Sequence, residues 1–142
     1  MEIILKINRG EKRGLRVRTT EEKGRGVYAA RKFYKGQFVV EYDGERITKA
    51  DYEKKKQTYD KNPKKYGSYV MEFRSGDKSI CIDATKKSKK LGRLMNHNRK
   101  GNLSYKFIKL DDECHVYFVA SRDIEKGEEF LWNYGDKDMD FY

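Results

Sequence analysis

Residues 91–98 read LGRLMNHN. A short apolar run leads into Asn96 and His97, and a basic, glycine-containing loop, NRKG at 98–101, follows. The chain of 142 residues has only two histidines, His97 and His115, so a histidine beside an asparagine invites a catalytic reading. Familiar templates do not accommodate it. A serine–histidine–aspartate triad needs a nucleophile elbow, and neither histidine has one nearby. A zinc site needs ligands at short spacing, whereas Cys81 and Cys114 form no Cys-x-x-Cys pattern and are expected to be free buried thiols, with no bound metal. The Asn-His pair has to be understood from the rest of the chain.

A chain of this length suits one domain that buries about 68% of the surface it would expose unfolded. Apolar residues make up 37% of it and aromatic residues 13%, including eleven tyrosines and seven phenylalanines, so the core must be built largely from rings. Its apolar runs fall far short of the ~20 residues that span a bilayer, and MEIILKINRG at 1–10 lacks the h-region and cleavage site of a signal peptide. The expectation is a soluble, intracellular, monomeric protein with no membrane partner.

Charge is uneven along the chain. Residues 1–100 hold 28 Lys/Arg against 13 Asp/Glu, a balance of +15, while residues 101–142 hold 5 against 10, a balance of −5. The runs KKK (54–56), KNPKK (61–65) and KKSKK (86–90) suit a polyanion such as nucleic acid, although a solvated lysine face is the plainer alternative for any one of them. The acidic end suits a basic substrate.

Six segments rich in β-branched and aromatic residues predict strands: VYAA (27–30), FVVEY (38–42), SYVMEF (68–73), SICID (79–83), LSYKFIKL (103–110) and HVYFVA (115–120). Turn signals at YKGQ, SGDK and RKGN arrange them as hairpins. One segment, TKADYEKKKQTY (48–59), predicts a single surface helix, with Thr48 as N-cap, an end near Asn62-Pro63, and lysines pointing mainly to water. The fold class is mainly β with short helices. KGRGVYA (23–29) lacks the spacing of a dinucleotide loop or a P-loop, yet two close glycines let a ligand approach the backbone.

Four segments taken in order carry a more specific signal: KGRGVYAARKFYKGQFVVEYDGE (23–45), CIDATKKSKKLGRLMNHN (81–98), VASRDIEKGEEFLWNY (119–134) and GDKDMDFY (135–142). The early G-x-G, the R-L-x-N-H box, the I-x-x-G-E-E turn and the closing aromatic L-x-x-Y resemble the SET-domain lysine methyltransferases. Within that family VVEYDGE, DATKKSKKLGRLMNH and ASRDIEKGEE look most like the branch that monomethylates a lysine of the histone H4 tail on nucleosomes. The resemblance implies a SET domain of the β-clip type over residues 14–136, made of small curved sheets around a threaded C-terminal pseudoknot. Residues 1–13 would form an N-terminal extension, and 137–142 a short tail in place of a cysteine-rich post-SET lid.

It also implies a site and a cofactor, S-adenosyl-L-methionine, leaving as S-adenosyl-L-homocysteine. Asn96 would bond the methionine portion and the backbone of His97 the adenine edge, with Lys23, Gly24, Arg25, Gly26 and Val27 on the other side. Phe141 or Tyr142 would close over the adenine. Tyr134 would be the catalytic tyrosine, Tyr42 and Tyr69 would line the lysine and cofactor pockets, and Tyr105 and Trp132 would shape the substrate channel and limit the product to monomethyl-lysine. Partners would be a histone tail, that of H4 in nucleosomes, and nucleosomal DNA on the basic face, in the nucleus. Tyrosine or phenylalanine is usual where Trp132 stands. An indole blocking the channel would leave instead a non-catalytic chromatin or nucleic-acid binding module with the same fold.

Overall fold

The structure is a computed structural model that describes residues 2–8, 10, 12–22, 24–61, 69–85 and 91–133. It divides into two compact units, one formed by Met1–Tyr42 with Lys90–Tyr134 and the other built on Asp43–Lys89.

The first unit opens with a short helix, α1 (Glu2–Asn8). Its Ile7 and Ile3 pack on Phe38, Tyr117 and Val119, so the first residues cover apolar sheet surface. A second helix was not expected there: at seven residues it is too short to show a repeated apolar face, and packing rather than propensity sustains it. β1 (Leu15–Thr20) and β2 (Gly24–Ala29) form an antiparallel ribbon with Val17 opposite Val27. β1 was also missed. Its sequence, LRVRTT, exposes both arginines and the valine between them, so no buried alternation marks it.

β3 (Phe38–Tyr42) is buried along its whole length and pairs with β9 (Glu113–Ala120), which pairs in turn with β8 (Leu103–Leu110) in an antiparallel sheet of order β3-β9-β8. The β8–β9 hairpin closes through Asp111 and Asp112, both at positive φ, the backbone that a tight two-residue turn requires. Between β3 and β8 runs a 3-10 turn (Gly92–Leu94) that ends in β7 (Asn96–His97). β7 lies parallel to β10 (Leu131–Trp132). Hairpins alone therefore do not account for the fold, because β3–β9 and β7–β10 join segments far apart in sequence and no local turn signal encodes them.

In the second unit, β4 (Glu45–Ile47), β5 (Val70–Ser75) and β6 (Lys78–Asp83) form an antiparallel sheet of order β4-β6-β5. Against it lies α2 (Lys49–Lys61), whose Tyr52 is buried with Val70 and Cys81. The predicted cap is present, with the Asp51 N–H donating to Thr48 Oγ1 at 3.1 Å. The lysines of α2 are not all solvated, since Lys49 Nζ meets Glu72 at 2.6 Å and Lys55 Nζ pairs with Asp83. Both carboxylates are buried and need a cation in reach. Cys81 is buried as expected, while Cys114 is only half-buried.

Candidate cofactor and lysine site

Two stretches distant in sequence meet at Asn96. Its Nδ2 donates to the carbonyl of Arg25 at 3.1 Å and to Glu129 Oε2 at 2.7 Å, so both N–H groups of the amide have acceptors. A Cβ at Gly26 would stand 2.5 Å from Glu129 Oε2 and 3.0 Å from Asn96 Nδ2, so a larger residue there would displace the ends of these two side chains. Gly24 opens β2 at φ 68, and a Cβ on it would meet nothing within 4 Å, so its backbone is open to approach. Arg25 is exposed and Val27 fully buried, its carbonyl accepting the Phe130 N–H at 2.8 Å. The Ala29 N–H donates to Glu128 O, also at 2.8 Å, which fastens the I-x-x-G-E-E segment to β2.

The parallel pairing explains the position of the histidine. His97 stands opposite Trp132 and is exposed. Gly101 permits the approach of the loop to β10, since a Cβ on it would come within 2.7 Å of Leu131 O and Trp132 Cα. Asn102 then locks the segment. Buried at 2% exposure, it donates from Nδ2 to Glu129 O at 2.8 Å and accepts the Leu131 N–H at Oδ1 at 2.9 Å. Upstream, Gly92 lies against β3, where a Cβ would meet Glu41 O and Tyr42 Cα.

The aromatic residues expected at the channel converge on one indole. Trp132 is 1% exposed, with ring centroids of Phe118 at 5.2 Å, Tyr105 at 6.2 Å and Tyr42 at 6.5 Å. Tyr42 is itself 2% exposed and meets Phe118 edge-on, while Tyr105 is half-buried and stacks on Phe107. Rings at these distances exclude water and present quadrupolar edges and faces. Tyr69 belongs to the second unit, where its carbonyl accepts the Ala84 N–H at 2.8 Å. Lys23, Tyr134, Phe141 and Tyr142 lie outside the described residues, as does the run 86–90. Among the described residues no group of three His, Cys, Asp or Glu side chains could hold a metal, and no helix is long and apolar enough to cross a membrane.

Sequence reasoning placed Asn96, Arg25, Gly26, Tyr42, Tyr105 and Trp132 at the site but gave no role to Glu129, Asn102, Gly92 or Gly101. Glu129 stood in the I-x-x-G-E-E turn, Gly92 in LGRLMNHN, and Gly101 and Asn102 in the RKGN turn signal, none of which assigns them a contact. The contact of Glu129 with Asn96 depends on a tertiary crossing that neither segment announces.

The family model described as SET domain matches residues 24–135. This chain belongs to the SET-domain family. It is 44% identical over 131 residues to N-lysine methyltransferase KMT5A-A of Danio rerio, a match covering 92% of this chain and 38% of that protein. To the histone-lysine N-methyltransferase Set8 of Drosophila melanogaster it is 42% identical over 126 residues, covering 87% of this chain and 18% of the relative. The chain thus spans well under half of these relatives. Among solved structures, the crystal structure of CpSET8 from Cryptosporidium has a TM-score of 0.74 at 37% identity, covering 86% of this chain and 57% of that one. A chain of the ctPRC2 complex, in an autoinhibited conformation bound to S-adenosylmethionine, has a TM-score of 0.70 at 30% identity, covering 91% of this chain and 16% of its own. The mainly β architecture agrees with this SET fold.

Proposed function

We propose that this chain is a protein lysine N-methyltransferase domain that transfers a methyl group from S-adenosyl-L-methionine to a lysine amine of a histone tail, adding one methyl group, with the H4 tail in nucleosomes as substrate. The observation that carries the reading is the crossing of Asn96 with Arg25 and Gly26, where a side-chain amide and glycine-opened backbone converge on one place. The relatives' names, N-lysine and histone-lysine N-methyltransferase, support the same chemistry. Residues 14–136 would form the SET domain, between an extension at 1–13 and a tail at 137–142. A histone substrate implies work on chromatin, in the nucleus.

The residues present fit that cofactor. Gly24 and Arg25 are the exposed backbone of this stretch, the Arg25 and Val27 carbonyls already accept from Asn96 and Phe130, and a Cβ at Gly26 would intrude on Asn96 and Glu129 at the crossing. On the family resemblance, Lys23 or Arg25 would supply a cation for a carboxylate, the His97 backbone an edge for adenine, and Phe141 or Tyr142 a closing ring, with Lys23, Phe141 and Tyr142 outside the described residues. The cofactor supplies an electrophilic methyl group on a sulfonium. The chain's own work is to deliver a neutral lysine amine in line with it. Lysine ordinarily holds its proton to a pKa of about 10.4, and an apolar channel favours the uncharged form by desolvation. Tyr42, Tyr105 and Trp132 provide ring surface for such a channel, and on the family resemblance Tyr134, outside the described residues, would orient the amine.

Incubation with labelled cofactor and either nucleosomes or free histones tests the proposal, with monomethyl-lysine on histone H4 as the expected product. Tyr134→Phe should stay folded and lose roughly 100-fold in rate, equivalent to about 2.7 kcal/mol of transition-state stabilisation. Absence of label on every histone would overturn the catalytic reading in favour of a SET-fold chromatin or nucleic-acid binding module.

A further inference from the structure

We infer that Glu129 is a positioning residue that fixes the polarity of the Asn96 amide, so that the site presents a hydrogen-bond acceptor and selects a ligand bearing an ammonium group. This rests on the proposed use of S-adenosyl-L-methionine, whose methionine portion carries an α-ammonium.

A primary amide has two faces of opposite character, an oxygen that accepts and a nitrogen that donates, and a half-turn about its last bond exchanges them. For Asn96 that half-turn is blocked. Reversed, Oδ1 would stand where Nδ2 now is, close to the Glu129 carboxylate and the Arg25 carbonyl, and three acceptors would face one another. In the orientation found, both N–H groups are committed within the protein, so the oxygen is what Asn96 can turn to a ligand. An oxygen held in this way accepts from an ammonium and repels a carboxylate. Without the constraint the amide could turn and bond either group, and the site would lose its means of setting the amino acid moiety in one direction.

Glu129 is itself held in place. The backbone carbonyl of Glu129 accepts from Asn102 Nδ2 and the next N–H but one, that of Leu131, donates to Asn102 Oδ1, so one buried side chain grips the backbone around the carboxylate. On the other side the Phe130 N–H donates to the Val27 carbonyl, and Glu129 Oε2 reaches toward the space that a Cβ on Gly26 would fill. Asn102 thus fixes the segment, the segment fixes Glu129, and Glu129 fixes Asn96.

The test compares the binding of S-adenosyl-L-homocysteine with that of its analogue lacking the α-amino group, by calorimetry. The wild type should prefer the amino compound by about tenfold or more, the scale of one hydrogen bond to a charged group. Glu129→Leu, similar in shape but with no acceptor, should bring the ratio close to one by weakening the amino compound, with little change for the analogue. Glu129→Gln keeps an acceptor oxygen without the charge and should restore most of the preference. If Leu weakens both compounds equally, Glu129 is merely structural. If Gln is as poor as Leu, discrimination comes from the negative charge and not from amide orientation, and the inference fails. Should the Leu variant not fold, nuclear magnetic resonance of the wild type decides: the two Asn96 side-chain amide protons should stay protected from exchange when S-adenosyl-L-homocysteine saturates the protein, and their loss of protection would show a ligand bonded to the nitrogen instead. A wild type that binds neither compound would overturn the proposed function itself, an outcome distinct from all of these.

Discussion

At the scale of single residues, Asn96 and Trp132 act by different physics. Asn96 works through directed bonds, two of them already made within the protein. On the proposed function, Asn96→Ala removes an acceptor for the cofactor and one donor to the Glu129 carboxylate, so cofactor affinity should fall by about 1–3 kcal/mol in calorimetry. Unchanged affinity would take Asn96 out of the site. Trp132 works through bulk. It is enclosed by Phe118, Tyr105 and Tyr42, and on the proposed function a second methyl transfer would need room for the first methyl group beside those rings. Trp132→Phe frees that room, and mass spectrometry after long incubation should show a larger dimethyl fraction than the wild type gives. Stability should fall at the same time, because a smaller ring in a well-packed set leaves a cavity. Abundant trimethyl product from the wild type would contradict the steric argument.

At the scale of elements, helix α2 is held to its sheet by charge as well as by Tyr52. Burial pushes the Asp83 carboxyl up, but the bond from Lys55 and those from Thr85 outweigh it, and the net pKa lies below the usual value. Glu72 behaves alike, its burial offset by Lys49 and Arg74. A carboxylate whose pKa is lowered on folding contributes stability at pH values above its unfolded pKa and loses that contribution as the pH falls through its folded pKa. Acid should therefore loosen the α2 attachment, and Asp83→Asn should lose less stability than the wild type between neutral and acid pH in denaturant titrations. Lys55→Met should instead destabilise at neutral pH, by about 1–3 kcal/mol, since it leaves a buried acceptor short of its partner. A difference below measurement would return Lys55 to the solvated face the sequence suggested.

The same elements show what local sequence can and cannot carry. Thr48 and the run of helix formers marked α2, and β-branched and aromatic content bounded by turn residues marked β3, β8 and β9, because capping and strand and turn preferences are short-range effects. β7 and β10 are two residues each and owe their strand character to each other, so neither has a pattern of its own. The Asn-His pair became intelligible through family resemblance, and its partner Glu129 only through the crossing in space. Gly92 and Gly101 belong to the same class: the backbone each must approach lies in another segment. Gly101→Ala should cost about 1–3 kcal/mol of stability, as overpacking against backbone does. A thermal midpoint equal to that of the wild type would show that the loop has slack.

At the scale of the whole molecule, the +15 balance of residues 1–100 and the −5 balance of residues 101–142 would, on the proposed function, suit different partners. A nucleosome offers both, since DNA is a dense polyanion and a histone tail a flexible polycation. Lysines bound to DNA displace condensed counterions, so affinity should fall steeply with ionic strength, with a slope that counts the phosphates engaged. Lysines in water contribute nothing to such a slope. The four lysines of 86–90 lie immediately before the segment that delivers Asn96, which would place a DNA contact next in sequence to the cofactor site. Changing Lys86, Lys87, Lys89 and Lys90 to alanine should flatten the salt dependence of nucleosome binding while leaving the affinity for S-adenosyl-L-homocysteine unaltered. If the slope is unaltered too, the run is a solvated surface. If cofactor affinity falls with the slope, the lysines support the fold around Asn96, and the basic face has to be sought elsewhere, with the exposed Arg16 and Arg18 of β1 as the next residues to change.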